Sequence, residues 1–230
     1  MKGLYLNCDE KLLPKSLEVL NEHNCRLELP KELGNGFIVY NDELWKKVPF
    51  YSKYSHYVAV SGWFIYKGEL NNIELFATDV IQHGFHVAND ILAGVFIIIW
   101  HDGNELKLIT DAQGMPNHFY DCSAKQLTVA PCLKPLKKDY HQSNKLFLSI
   151  LKKKNHLFGN YTIYDGLERL SPGSVISQKS VAQYFKFDHK NIKSISLVGQ
   201  YVEELISCFP HCKRILPISG GLDSRFILAH

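Results

Sequence analysis

The sequence predicts an α+β fold that leads, in residues 191–230, into the beginning of an α/β domain. Apolar runs of strand length recur from residue 57 onward, separated by short turns that carry Asn, Asp, Gly or Pro. A run with helical spacing lies among them at 71–84. Near the end, an apolar run, a glycine-rich turn and a second apolar run follow one another. That order is typical of a strand, loop and helix in an open α/β domain.

The first 55 residues have a mixed pattern, in which 12–20 is compatible with a short helix and 35–40 with a turn that enters a strand. The pattern is clearer from residue 57. The stretch 57–66 predicts a strand, and 71–84 predicts a helix that ends at Gly84.

Four further strands are predicted in the next part of the chain, at 92–101, 105–111, 118–122 and 126–131. Hairpin-type residues occupy the turns at 101–104 and 111–117. We therefore predict a β-meander with a helix over at least one face, a layered α+β domain.

A lysine-rich segment follows, with seven lysines and one acid, Asp139, in 134–154. A solvated face explains these lysines better than a phosphate or nucleic-acid track, because no aromatic residues alternate with them. The remaining predicted elements are a helix at 146–151, extended chain at 160–177, a strand at 181–187, a linker at 188–194 and an amphipathic helix at 196–209.

Composition and charge exclude several classes of protein. The 230 residues carry 26 Lys plus Arg against 23 Asp plus Glu, so the net charge of +3 gives no general reason to expect nucleic acid or an anionic membrane as partner. The longest apolar stretch, 92–100, is shorter than the roughly 20 residues of a membrane-spanning helix. No secretory signal is visible, and six dispersed cysteines do not form a disulfide framework. We therefore expect a cytoplasmic protein.

The strongest chemical signal is the glycine loop 219–224, between the apolar strand 213–218 and the helical start 225–230. Two glycines let the backbone approach an anion closely, and the loop amides and free helix N–H groups can bind phosphate. Asp223 fits a magnesium ligand, because an acid beside polyphosphate needs a cation between them. The alternative is a glycine-rich turn that only joins strand to helix. The P-loop of NTPases is excluded by spacing and by the missing lysine.

These residues resemble a known family. Ser219-Gly220-Gly221-Leu222-Asp223-Ser224 matches the SGGxDS loop of ATP pyrophosphatases, and Arg225 is similar to the residue that follows it in asparagine synthetase relatives. Residues 92–101 resemble that family's L-x-G-x-F-A-F-A-x-W-D strand. Residues 111–120 resemble its D-x-x-G-x-x-P-L-Y-Y hairpin, and 162–173 its T-x-F-x-G-I-x-x-L-x-P-G segment. The chain thus resembles the asparagine synthetase and β-lactam synthetase family.

The resemblance implies an N-terminal-nucleophile-hydrolase-like sandwich, with two antiparallel sheets between helices. It implies a glutamine-amidotransferase-like domain over 1–190 and the start of a PP-loop ATP-binding domain over 191–230. ATP would bind at 219–224, and Asp223 would bind Mg²⁺.

The resemblance also implies that glutaminase activity is lost. Family members that use glutamine have a cysteine after the initiator Met, whereas this chain has Lys2, and Cys8 would need a processing event to become N-terminal. Ser61-Gly62-Trp63 replaces the family's Asn-Gly-Glu, and Asn71-Asn72-Ile73-Glu74 replaces Ser-Asp-Thr-Glu. We therefore assign no catalytic residue to the first 190 positions.

Two interpretations remain. In the first, the chain is the N-terminal part of an ATP-dependent, AMP-forming amide ligase that joins a small-molecule or peptide carboxylate to an amine. A nucleotide domain needs on the order of 100 to 200 residues, so we expect a missing portion, supplied by a complementing chain or by continuation of this one. In the second, the chain is a non-catalytic remnant that binds a partner chain. A homodimer is compatible with either.

Overall fold

The computed structural model describes residues 3–13, 24–41, 45, 49–185 and 195–209. Within them the chain forms two antiparallel sheets and few helices, which confirms the predicted α+β class. The predicted helix at 12–20 lies mostly outside the described residues. The linker 188–194 and all of 213–230, including the glycine loop, also lie outside them.

The strands are β1 Gly3–Leu6, β2 Asn24–Glu28, β3 Gly36–Asn41, β4 Phe50–Lys53, β5 His56–Tyr66, β6 Glu69–Leu70, β7 Ile91–Asp102, β8 Leu106–Thr110, β9 Phe119–Asp121, β10 Val129–Ala130, β11 Leu167–Arg169, β12 Ser174–Ser177 and β13 Val181–Gln183. The helices are α1 Ile73–His83, α2 Lys145–Lys154 and α3 Ile195–Ser207. The first sheet has the order β11-β9-β10-β1-β3-β2, and the second has the order β13-β12-β8-β7-β5-β4, with β6 paired to β5.

The second sheet is buried on both faces. Ala59, Ile99, Leu108 and Ile176 lie side by side across β5, β7, β8 and β12 and face the core between the two sheets. Their chain neighbours point the other way, where they pack under α1. Two buried faces explain why these strands are continuous apolar runs and do not alternate with polar residues.

Helix α1 covers the outer face of the second sheet with Phe76, Ala77 and Val80. Its start is set by Asn72, whose side chain accepts a hydrogen bond from the backbone N–H of Leu75 at 3.1 Å. Gly84, with a φ of 77°, ends it. The predicted helix at 71–84 is therefore confirmed.

The outer face of the first sheet carries Tyr5, Phe37 and Val39. The residues that pack onto these side chains from outside the sheet lie in loops: Cys8, Leu13, Leu133, Leu136 and Tyr164. Helix α2, confirmed near the predicted 146–151, has no buried residue. Within the described chain the layers are therefore helix, sheet, sheet and loops.

The predicted β-meander over 92–131 is wrong. Strands β7 and β8 belong to the second sheet, whereas β9 and β10 belong to the first. The chain changes sheet in the loop 111–117, where the buried Asp111 Oδ1 accepts backbone hydrogen bonds from Gln113 at 2.8 Å and Met115 at 3.2 Å. This Asp-centred turn replaces the simple hairpin that the sequence pattern indicates.

Helix α3 confirms the predicted helix at 196–209 and contacts the second sheet. The Tyr201 hydroxyl donates a hydrogen bond to the backbone carbonyl of Leu92. Just after the helix, Phe209 packs edge-on against Trp63, with ring centroids 5.6 Å apart. Val198, expected on the apolar face, is 44% exposed.

Candidate functional site

A cavity of about 340 Å³ opens where the two sheets meet. Strands β1 and β3 contribute walls from the first sheet, β5 and β7 from the second, and the loop 116–118 closes one side. We call it the inter-sheet cavity. None of the residues that line it is Asp, Glu, Lys or Arg. The lining consists of Gly3, Val39, Tyr40, Asn41, Trp45, Ser61, Gly62, Trp63, Val95, Pro116, Asn117, His118 and Pro131.

The structure brings together some of the residues that the sequence singles out. Ser61, Gly62 and Trp63 all line the inter-sheet cavity, next to Gly3, the residue that follows Lys2 in the chain. Asn72 does not line it. Its side chain caps α1 and donates a hydrogen bond to Glu69 Oε2 at 2.7 Å.

Cys8 is not placed as a nucleophile. Its thiol donates to the backbone carbonyl of Val129 at 2.8 Å and lies 3.4 Å from that of Leu6. Burial is the largest influence on this thiol and raises its pKa to about 12. A thiol that stays protonated at neutral pH has little nucleophilic character, and Cys8 is not among the cavity's lining residues.

The backbone at Gly62 shapes one wall of the cavity. Its φ is 117°, and a Cβ at this position would lie 1.9 Å from the carbonyl oxygen of Val95 on the neighbouring strand. The Gly62 carbonyl accepts a hydrogen bond from Trp45 Nε1 at 2.9 Å. Only glycine fits where β5 and β7 come this close together. The Gly62 carbonyl also positions the Trp45 ring through this hydrogen bond.

The sequence interpretation missed His118, a buried wall of the cavity. Its Nε2 accepts a hydrogen bond from the backbone N–H of Leu4 at 3.0 Å. Burial lowers its pKa to about 3, so the ring is neutral at physiological pH. A Cβ at Gly3, whose φ is 140°, would lie 2.5 Å from His118 Nε2. No signal in the sequence marks this pairing, because the restriction on position 3 becomes visible only once the histidine is known to lie there.

A second polar cluster surrounds Asp121, between β9 and the loop at 138–141. Asp121 accepts hydrogen bonds from the Ser123 hydroxyl at 2.6 Å and the Tyr140 hydroxyl at 2.9 Å, and it lies 3.3 Å from His141 Nε2. His141 Nδ1 accepts from the Lys138 backbone N–H at 3.0 Å, so Nε2 carries the ring proton.

This cluster contains Ser, His and Asp but is not a catalytic triad. In a triad the serine and the carboxylate bind opposite nitrogens of the imidazole. Here Ser123 and Asp121 both lie beside Nε2, and the Ser123 proton points to the carboxylate. The cluster therefore stabilises the loop and does not activate Ser123.

We predict that Tyr140→Phe lowers the free energy of unfolding at pH 7 by about 1 kcal/mol. Burial raises the pKa of Asp121, but hydrogen bonds from Ser123, Tyr140 and His141 lower it more, to a net value below the ordinary one. A carboxylate with a lowered pKa stabilises the fold at neutral pH and loses that contribution as pH falls through its folded pKa.

The difference between wild type and Tyr140→Phe should therefore shrink in acid. Urea unfolding at pH 7 and near pH 3 checks this. Tyr161→Phe is the matched control, because Tyr161 is similarly exposed and its hydroxyl makes no hydrogen bond with a described residue. A Tyr140→Phe effect that is constant with pH would contradict the prediction.

The predicted ATP and Mg²⁺ residues, Ser219, Gly220, Gly221, Leu222, Asp223 and Ser224, lie outside the described residues. Within the described part, no group of three or more His, Cys, Asp or Glu side chains is placed to bind a metal ion. None of the described helices is both long and apolar enough to cross a bilayer.

Neither a family model nor a curated protein sequence matches this chain. The resemblance to asparagine synthetases therefore depends on the four sequence motifs quoted above.

Proposed function

We propose that the chain is the N-terminal part of an ATP-dependent, AMP-forming amide ligase resembling asparagine synthetase, with an amidotransferase-like domain that has no glutaminase activity. The observation that carries this proposal is the inter-sheet cavity. Ser61, Gly62 and Trp63, the residues that replace the family's Asn-Gly-Glu, lie together with Gly3 around one cavity at the meeting of two antiparallel sheets. This arrangement fits an N-terminal-nucleophile-hydrolase-like sandwich.

The chemistry of the cavity supports the loss of glutaminase activity. Free glutamine carries an ammonium and a carboxylate, and burying either charge without a partner is costly. The lining has no Asp, Glu, Lys or Arg side chain, and His118 is neutral at physiological pH. The nucleophile is also missing from the sequence, since position 2 is Lys2.

The ligase part of the proposal depends on residues 219–224. Their backbone amides would bind the pyrophosphate of ATP, and Asp223 would bind Mg²⁺. Together they would disperse charge while a substrate carboxylate is converted to its acyl-adenylate and an amine then attacks. The substrates would be a small-molecule or peptide carboxylate and an amine. We propose a cytoplasmic protein that binds neither nucleic acid nor membrane.

We predict that the purified chain releases no glutamate from glutamine above a buffer blank. The physical reason is the absence of both the nucleophile and the charged groups that would hold glutamine. A coupled glutamate assay at millimolar glutamine is the measurement. Glutamate release that Cys8→Ala abolishes would contradict the prediction and would mean that the mature N-terminus begins at Cys8.

A second candidate function, a scaffold that binds a partner chain, is favoured by one surface. Leu146, Phe158 and Tyr161 are each at least 60% exposed on and beside α2, where Lys152, Lys153 and Lys154 end the helix. Exposed apolar side chains close in sequence to three lysines suit an acidic, amphipathic partner. ATP–pyrophosphate exchange in a protein that unites this chain with a downstream synthetase domain discriminates the two functions, because only the ligase exchanges.

A further inference from the structure

A second concave region of the surface, of about 510 Å³, opens between the loop 123–128 and the loop 138–140. Two of the residues that line it are lysines, and none is Asp or Glu. We call it the lysine cleft. Its lining consists of Asn7, Ser123, Ala124, Lys125, Gln126, Thr128, Lys138 and Tyr140.

Hydrogen bonds to one buried carboxylate hold the two loops together. The Ser123 hydroxyl donates to Asp121 Oδ1 at 2.6 Å, and the Tyr140 hydroxyl donates to Asp121 Oδ2 at 2.9 Å. Asp121 thereby fixes the loop that carries Lys125 against the loop that carries Lys138. A cleft whose walls are fixed in advance loses less conformational freedom when a ligand binds.

The two lysines of the cleft have no counter-charge. Lys125 and Lys138 are both exposed, and neither side chain forms a salt bridge or a hydrogen bond with a described residue. The two nearby acids do not line the cleft: Asp121 is buried behind its wall, and Asp139 is not among the lining residues. A cleft lined by charges of one sign focuses the electrostatic field and concentrates ions of the opposite sign.

The structure changes the interpretation of one lysine in the segment 134–154. The sequence alone favours a solvated face for that segment, because its lysines are simply close together in the chain. Lys138 shares its cleft with Lys125, which lies outside the segment. A run of lysines in one segment does not explain why a lysine from another loop lines the same acid-free cleft.

We propose that the lysine cleft binds the phosphate group of a small phosphorylated molecule, with Lys125 and Lys138 as its cationic partners. A phosphate monoester carries a charge of about −1.5 to −2 at pH 7, which two ammonium groups match. Lysine binds phosphate as a point charge and needs no fixed planar geometry. The cleft is wider than a phosphate group alone, so it leaves room for the organic part of the ligand.

This inference goes beyond the proposed function. Neither adenylation at 219–224 nor the docking of a partner chain on α2 requires an anion in the lysine cleft. The two sites also lie in different parts of the sequence, so each can be tested without the other.

The experiment titrates the ¹⁵N-labelled chain with glycerol 3-phosphate and follows its backbone amide resonances. Ionic strength is held constant with sodium chloride. Glycerol 3-phosphate should shift the amides of 123–126 and 138–140 in a saturable way, whereas glycerol, which has no phosphate, should leave them unchanged. The amides of 219–224 report separately on the glycine loop, so absence of binding there does not affect this result.

Charge-removing variants test the location. Lys125→Gln and Lys138→Gln should each weaken the binding of glycerol 3-phosphate by about tenfold, because each removes a charged hydrogen-bond donor. Lys53→Gln is the matched control, since Lys53 is an exposed lysine of β4 outside the lining, and it should bind like wild type. Unmoved amides at 123–126 and 138–140, or equal affinities in all three variants, would overturn the proposal.

Discussion

Replacing Gly62 with alanine is expected to lower the free energy of unfolding by more than about 3 kcal/mol. The new methyl group would lie 1.9 Å from the Val95 carbonyl oxygen. Because that oxygen belongs to the backbone of β7, no side-chain rotation can relieve the clash, and β5 and β7 would have to separate. Urea unfolding followed by circular dichroism measures the change.

Gly68→Ala is the matched control for this prediction. Gly68 also has a positive φ, 78°, but a Cβ there would meet no atom within 4 Å. Its replacement therefore adds only backbone strain, about 1 to 2 kcal/mol. If both variants lose the same stability, backbone conformation alone accounts for the glycine at position 62, and the close approach of the strands is not the cause.

If the proposed function holds, replacing Asp223 with alanine should reduce ATP–pyrophosphate exchange by more than about a hundredfold in a protein that unites this chain with a synthetase domain. On that proposal Mg²⁺ would lose a ligand beside the pyrophosphate, and the charge that develops during adenylation would be less well dispersed. Radiolabelled pyrophosphate exchange with the substrate carboxylate measures the effect.

Asp139→Ala is the control, because Asp139 is an exposed acid far from position 223 in the sequence and its removal changes the net charge equally. Asp139→Ala should exchange at the wild-type rate. Full exchange by Asp223→Ala would refute the assignment of the glycine loop as the pyrophosphate site.

Local sequence pattern was sufficient to predict strands β5, β7 and β8 of the second sheet and helix α1. Strand β7 reads as a continuous apolar run because successive residues, such as Ile98 and Ile99, face opposite cores. Helix α1 has both its signals, an N-cap at Asn72 and a stop at Gly84, within its own segment. Such features depend on residues close in sequence, so they can be recognised without the fold.

The distribution of strands between the sheets could not be predicted in the same way. Strands β9 and β10 contain only three and two residues. Their partners are set by contacts far along the chain, such as Val129 with Leu6. Pairing over that distance depends on tertiary packing, and a hairpin-like turn sequence does not determine it.

The residues of the candidate site also differ in whether the sequence alone could identify them. Ser61 and Trp63 were recognisable because they lie beside Gly62 within one motif-like segment. His118 was not, because its role comes from a hydrogen bond to Leu4, 114 positions away. A single histidine at the start of a predicted strand carries no sequence signal for a cavity wall.

Trp63 has two neighbours that belong to different parts of the chain. Trp63 lines the inter-sheet cavity, and its ring also packs against Phe209, which lies ten positions before Ser219. Any change that fixes the Trp63 ring therefore also stabilises its contact with Phe209, just after α3. By thermodynamic reciprocity, the Phe209 contact stabilises that position of the Trp63 ring by the same free energy. The wall of the inter-sheet cavity is thereby coupled, through one aromatic contact, to the segment that leads toward residue 219.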